Sequence, residues 1–255
     1  MNFEIFDFHV HPYITPDENI CVYKDINAPM SAEIAIEDLQ SIGITRFAGS
    51  VISPIKDSPD GMIRANQTAF KLRDIYGEKY IPGVQVDARF VDESIKEIDK
   101  TIEHGFSLIG ELVPYHYNWE YSDPKFRDIL DYTKDKNMVF SLHTTDISVM
   151  ESVASDYPDT TFVFAHPGEK AMLLRHIEVM KKCENVYLDL SGTGLFRLSM
   201  LKKLVCEVGA ERILFGSDYP VCNPGMYVGG VMFEKITDHE RELILSGNAK
   251  RLLRL

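Results

Sequence analysis

Eight short apolar segments alternate with eight longer amphipathic ones along this chain, and no other feature limits its fold as strongly. The candidate strands are the Glu4–Pro12 stretch, Thr45–Ser50, Ile81–Asp87, Leu108–Val113, Val139–Thr144, Thr161–Ala165, Val186–Leu190 and Ile213–Gly216. Helical patterns fall at Ser31–Ile42, Gly61–Tyr76, Val91–His104, Pro124–Lys136, Ile147–Tyr157, Glu169–Lys182, Leu195–Val208 and Asp238–Leu253. Ser31 stands where the first helix would be capped, and Gly43, Gly77, Gly105 and Gly209 follow four helices where a left-handed residue ends a helix. Strict alternation predicts a parallel sheet, and eight repeats predict its closure into a (β/α)8 TIM barrel, an α/β fold. Such a barrel takes about 250 residues, so residues 1–255 are expected to form one domain. No linker, low-complexity tract or repeat at the level of sequence interrupts the pattern.

The ends of these strands carry the chemistry. On the first, Asp7, His9 and His11 share one face while Phe6, Phe8 and Val10 take the other. Two imidazoles at i and i+2 converge on one point, which suits a transition metal held by neutral ring nitrogens. His143 closes the fifth strand, His166 the sixth and Asp218 the eighth. Each is a weak signal alone; together they make a ring at the C-terminal edge, the face where barrels of this kind work. Glu111 points inward from the fourth strand, and a carboxylate there needs a cation or a hydrogen-bonded partner. It is read as a metal ligand or as a group holding one. Asp7, deeper on the first strand, is read as a hydrogen-bond acceptor.

The stretches Asp7-Phe8-His9-Val10-His11, Phe164-Ala165-His166-Pro167-Gly168 and Phe215-Gly216-Ser217-Asp218-Tyr219-Pro220 resemble the amidohydrolase superfamily. Within it the likeness is to the amidohydrolase-2 group, which includes aminocarboxymuconate-semialdehyde decarboxylase and related hydrolases. It extends to the end of the chain, where Ser246-Gly247-Asn248-Ala249-Lys250-Arg251-Leu252 is similar to that group's last helix. The resemblance implies that His9, His11, His143 and Asp218 hold a divalent metal, with His166 a second-metal ligand or an acid/base group. Gly110-Glu111 is also similar to the fourth strand of TatD-type deoxyribonucleases, which implies a bridging or ligating Glu111 and one or two ions. Zinc is the default, with manganese, iron or nickel as alternatives.

Such a site activates water at neutral pH, with Asp218 taking the proton and His166 stabilising the oxyanion. Hydrolysis of a small amide, lactone or ester follows; non-oxidative decarboxylation of a small carboxylic acid uses the same ligands and is the alternative, with nuclease activity third.

For substrate contacts the sequence offers Arg89, which either clamps a carboxylate or pairs with Asp92, and the aromatics Tyr13, Tyr115, Trp119 and Tyr219. The connections Pro12–Met30 and Tyr219–Ile236 are long enough to serve as lids over the pocket. His104, His176 and His239 fall on helices and are expected at the surface. A net charge of −12 provides no footprint for nucleic acid. Around the expected mouth, Arg89, Lys24 and Lys235 are outnumbered by acids including Asp17, Glu18, Asp25, Asp92, Glu120 and Asp146. The partner expected is therefore a small molecule, in a protein free to form homo-oligomers. Cys21, Cys183, Cys206 and Cys222 form no CxxC pair and read as reduced thiols. No secretory leader and no apolar run of the roughly 20 residues a membrane span needs is present, which makes the expected location cytoplasmic.

Overall fold

The computed structural model describes residues 3–23, 25 and 32–255. Lys24, Ser31 and most of the second half of the first long connection lie outside the described residues. Strands β1 (Ile5–Val10), β2 (Ile44–Ser50), β3 (Tyr80–Val84), β4 (Leu108–Leu112), β5 (Val139–His143), β6 (Thr161–Ala165), β7 (Val186–Asp189) and β8 (Ile213–Leu214) pair in chain order, all parallel. The helices between them are α1 (Ala32–Ser41), α2 (Pro59–Tyr76), α3 (Val91–Glu103), α4 (Pro124–Thr133), α5 (Ile147–Asp156), α6 (Lys170–Lys182) and α7 (Met200–Val208). After β8 come α8 (Pro224–Met232), α9 (Asp238–Glu242) and α10 (Asn248–Leu253).

The sheet closes on itself: Phe8 N donates to Phe215 O at 2.8 Å, Asp218 N to His9 O at 2.8 Å and His11 N to Tyr219 O at 2.7 Å. This is the (β/α)8 barrel expected from the alternation. One apolar cluster fills the layer between sheet and helices, with Phe126, Phe140, Phe162 and Leu204 fully buried. A second draws one residue each from six strands, Ala48, Ile81, Leu108, Val139, Val163 and Leu214. Side chains from so many strands meet across the barrel axis, so the bottom of the barrel is packed rather than open.

Several elements differ from the sequence reading. β3 stops at Val84 because the next amide, on Gln85, donates to the side chain of Asn66 at 2.7 Å instead of to a neighbouring strand. β8 stops at Leu214 because Phe215 N donates to Ile244 O at 2.9 Å. Leu195 does not begin a helix: residues 195–199 form turns, Phe196 and Leu198 are exposed, and α7 begins at Met200. The connection after β8, expected as a loop, holds α8. Its start was present in the sequence as Asn223-Pro224, with the Asn223 side chain accepting from Gly225 N at 3.0 Å, and three glycines obscured it. The last predicted helix is interrupted by a π-helical segment, Leu243–Gly247.

His104 and His239 are exposed, as expected, but His176 is completely buried. On α6 it falls in line with Leu173, Ile177 and Met180, the apolar i, i+3, i+4, i+7 face, which explains its burial. Its ring lies 6.0 Å from that of Phe164, and neither ring nitrogen has a hydrogen-bond partner. Burial lowers its proton affinity to a pKa of about 4, the His166 backbone offsetting only part of the effect. An unfolded imidazole titrates near 6.5, so the unfolded chain binds the extra proton first, and stability is lost as pH falls from about 6.5 toward 4. His176→Leu is expected to remove an acid-side loss on the order of 3 kcal/mol. Its thermal melting should gain more over wild type at pH 5 than at pH 7.5; an equal difference at both pH values would refute this.

Candidate metal centre

At the C-terminal mouth of the barrel, His9 from β1, His11 just beyond it, Glu111 from β4, His143 from the end of β5, and His166 and Asp218 just past β6 and β8 converge. The Nε2 atoms of His9 and His11 lie 3.2 Å apart. Glu111 Oε2 is 3.4 and 3.3 Å from them, and Asp218 Oδ1 is 3.6 and 3.5 Å from them. Four ligands placed tetrahedrally at about 2.1 Å from an ion would be about 3.4 Å from one another, close to all five of these separations. On the other side of the same carboxylate, Glu111 Oε1 lies 2.9 Å from His143 Nδ1 and 3.1 Å from His166 Nε2, which are themselves 3.1 Å apart. The six residues read as ligands from sequence are thus brought together, in two groups that share Glu111: His9, His11 and Asp218 at one oxygen, His143 and His166 at the other.

The protons on the rings determine what the centre can hold. His9 Nδ1 lies 2.8 Å from Asp189 Oδ2, and His11 Nδ1 lies 2.9 Å from the carbonyl oxygen of Ser50. Both partners only accept, so both rings carry their hydrogen on Nδ1 and turn the lone pair of Nε2 toward Glu111 and Asp218. Lone pairs and carboxylate oxygens converging in a buried space call for a cation, and this mixture of imidazole and carboxylate suits a divalent transition metal. Protons answer the same need: burial opposes protonation of His9, but Glu111 and Asp189 outweigh it and raise its proton affinity well above the ordinary value. His11 is raised to about 9, burial again being overcome, here by Asp218 and Glu111. Burial would raise Glu111, and the surrounding imidazoles instead hold it well below the usual carboxylate range.

The backbone aims these groups. Gly110 has φ 94°, and a Cβ there would lie 2.2 Å from Ser141 O, so only glycine lets β4 run this close to β5 before Glu111. His166 (φ 68°) and Asp218 (φ 62°) adopt left-handed conformations as their strands end. That conformation costs roughly 1–2 kcal/mol in a residue with a Cβ, a strain that concentrates at functional positions. Asp7 accepts from His9 N at 3.1 Å, Ser217 N at 3.0 Å and Ser217 Oγ at 2.5 Å, tying the first strand to the segment that carries Asp218. Burial pushes its carboxyl up to about 7 in spite of those bonds.

Two residues that touch the rings of His9 and His166 escaped the sequence reading, Asp189 and Ser191. They end the seventh strand in the alternating order Asp189-Leu190-Ser191, the same signal that exposed His9 and His11, here without a histidine to draw notice. Of the proposed substrate contacts, Tyr115 stands at the centre, its hydroxyl 3.5 Å from His143 Nε2. The other four have their side chains engaged with neighbouring residues in this structure. Arg89 is gripped by Asp87 at 2.6 to 3.2 Å, not by Asp92, and also donates to Lys56 O. Tyr13 accepts from Asn19 at 3.0 Å, and Tyr219 donates to Asp38 at 3.1 Å. Trp119 is buried against Tyr121 and Phe126, beside a separate cavity of about 250 Å³. Glu18, counted among the rim acids, is also buried, accepting from Thr68, Ile14 and Thr15. The space that opens from His143, His166 and Asp218 measures about 1170 Å³, and much of its wall is apolar: Ile147, Met172, Phe196, Val221 and Met226.

A parallel barrel that gathers imidazoles and carboxylates at its strand ends is the frame of a metal-binding barrel of enzymes. The chain belongs to the amidohydrolase family, whose sequence profile (Amidohydro_2, described as Amidohydrolase) matches residues 6–255. No curated protein matches it by sequence. Among solved structures it is similar to 2,6-dihydroxybenzoate decarboxylase complexed with 2,6-dihydroxybenzoate, at 17% identity and TM-score 0.76, over 100% of this chain and 99% of the other. It is similar also to 5-carboxyvanillate decarboxylase LigW from Sphingomonas paucimobilis, at 13% identity and TM-score 0.73, over 99% of each chain. A third is a dihydroxybenzoic acid decarboxylase from Polaromonas sp. JS666 with bound manganese and the inhibitor 2-nitroresorcinol, at 16% identity and TM-score 0.67, over 100% and 98%. At these identities the likeness is one of fold. No helix among the described residues is long and apolar enough to cross a membrane.

Proposed function

We propose that this chain is a metal-dependent, non-oxidative decarboxylase of a small, flat carboxylic acid, aromatic or enoic. The observation that carries this reading is the cavity: a mostly apolar space of about 1170 Å³ with the metal centre and Asp218 at one end. It suits a planar apolar body with an anionic end at the cations and the rest among Phe196, Met172 and Met226. The structural relatives named above act on acids of that description, which ranks decarboxylation over the hydrolysis of an amide, lactone or ester first read from the sequence. A divalent metal, zinc or manganese, would be held by His9, His11, Asp218 and one oxygen of Glu111, with room for another at His143, His166 and the other oxygen. When bound, it would fix the anionic end of the substrate and draw electron density from the reacting carbon.

The chain's own groups would handle the proton. Asp218 faces the cavity, where a proton taken up from solvent can be passed to the carbon that bears the carboxylate. The bond to the carboxylate breaks, its electron pair stays with that carbon, and carbon dioxide leaves; Asp218 then regains a proton from solvent. The test is to reconstitute the protein with Mn2+ or Zn2+ and offer hydroxybenzoic and enoic acids in D2O, beside a set of lactones, amides and esters. Release of carbon dioxide with one deuteron at the vacated carbon is the expected result. Hydrolysis of the second set without carbon dioxide from the first would establish the hydrolase reading instead.

A further inference from the structure

Ser191 is buried behind the centre, and its single hydroxyl touches three groups at once. Its Oγ is hydrogen-bonded to Asp189 Oδ1 and lies 3.1 Å from His9 Nδ1 and 3.0 Å from His166 Nδ1. We propose that Ser191 is a positioning residue that fixes the tautomer of His166, and so determines that His166 meets the centre as a lone-pair donor and not as a proton donor.

The reasoning is a count of hydrogens. A hydroxyl has one hydrogen to give and two lone pairs. Asp189 is completely buried with both oxygens turned to donors, Oδ1 accepting from Ser191 N at 2.9 Å and Oδ2 lying 2.8 Å from His9 Nδ1. It has no hydrogen to donate, so the Ser191 hydrogen goes to Asp189. The hydrogen on His9 Nδ1 goes to Asp189 Oδ2, nearer at 2.8 Å than Ser191 Oγ at 3.1 Å. What remains between Ser191 Oγ and His166 Nδ1 is a contact in which the oxygen has only lone pairs to offer, so the hydrogen sits on His166 Nδ1. Nε2 of that ring is then bare, 3.1 Å from Glu111 Oε1. Two acceptors at that distance repel unless a cation lies between them or His143 Nδ1, 2.9 Å from that oxygen and 3.1 Å from Nε2, supplies a hydrogen.

The loop is shaped for this contact. A Cβ at Gly192, whose φ is 65°, would fall 2.4 Å from His166 Nδ1, so the residue after Ser191 can only be glycine if the ring is to lie against the hydroxyl. The inference rests on the cluster's being a metal centre for its consequence, but its first observable does not involve a metal.

That observable is the tautomer in the metal-free protein at alkaline pH, where the neutral rings are populated. Nitrogen NMR of histidine-labelled protein, with His166 assigned by the His166→Gln spectrum, should show wild-type His166 protonated on Nδ1. In Ser191→Ala it should move to the form protonated on Nε2, which can donate to Glu111. Zinc affinity, measured by chelator competition, should fall about 10- to 100-fold in the same variant. Ser191→Thr, which keeps the hydroxyl, should recover both, with melting curves used to verify that each variant folds. A wild-type ring protonated on Nε2, or a Ser191→Ala protein that keeps the Nδ1 form, would overturn the proposal. Should wild type bind no zinc at all, the metal-centre reading falls, while the role of Ser191 is still decided by the NMR.

Discussion

Alanine at position 218 is expected to cut turnover by at least about a thousandfold while the barrel still folds. Asp218 Oδ1 is 3.6 and 3.5 Å from the Nε2 atoms of His9 and His11, and the residue also lines the large cavity. In the proposed reaction it would be the group shared by the metal and the substrate. Its contribution to folding is made chiefly by the backbone, through Asp218 N to His9 O at 2.8 Å, and alanine keeps that bond. The left-handed φ of 62° tolerates asparagine better than alanine, so Asp218→Asn separates charge from conformation. Both variants should melt within a few degrees of wild type, with metal content reduced and product formation lost. Activity within tenfold of wild type in either would remove Asp218 from the chemistry.

Replacing Glu111 by glutamine is expected to lower bound metal from about two equivalents to one or fewer, and turnover with it. The two oxygens of Glu111 face different pairs of imidazoles, Oε2 toward His9 and His11 and Oε1 toward His143 and His166. Glutamine keeps the size but replaces one oxygen by an amino group, which presents hydrogens where a cation would lie, and it removes the negative charge that all four rings share. Elemental analysis after reconstitution at a modest excess of metal reads the change directly. A stoichiometry of one in both proteins would mean that Glu111 serves a single ion and accepts hydrogen bonds from His143 and His166 on its other side.

The fold was legible because its signals are local and repeated. An apolar strand pattern followed by an amphipathic helix pattern needs no knowledge of distant residues, and eight copies leave one closed architecture. The convergence of the six side chains was legible for a related reason: a histidine or acid at a strand end has a fixed direction once the sheet is parallel. Asp189 had that direction too, and was missed because an aspartate after Leu188 looks like any strand terminus until His9 is seen across the barrel from it. Arg89, Tyr13, Trp119 and Tyr219 show what sequence leaves open. Each lies near a strand end or rim loop, but a long polar or aromatic side chain has several partners in reach, and sequence does not rank them. Asp87, two residues before Arg89, took the guanidinium that had been assigned to a substrate. The wall of the cavity comes from residues 172, 196, 221 and 226, on separate connections, and only the folded barrel brings them together.

The seam where the sheet closes joins His9 O and His11 N of the first strand to Asp218 N and Tyr219 O near the last. The same few residues therefore fasten the barrel and furnish its centre. During synthesis, both histidines leave the ribosome some two hundred residues ahead of their acidic counterpart, Asp218. Loop closure over that span is costly in entropy and slow, and until it happens the two imidazoles have no shared carboxylate at position 218. The ability to capture a cation tightly is in this way withheld from incomplete chains and conferred by closure, so metal uptake reports that the circle of strands has been completed.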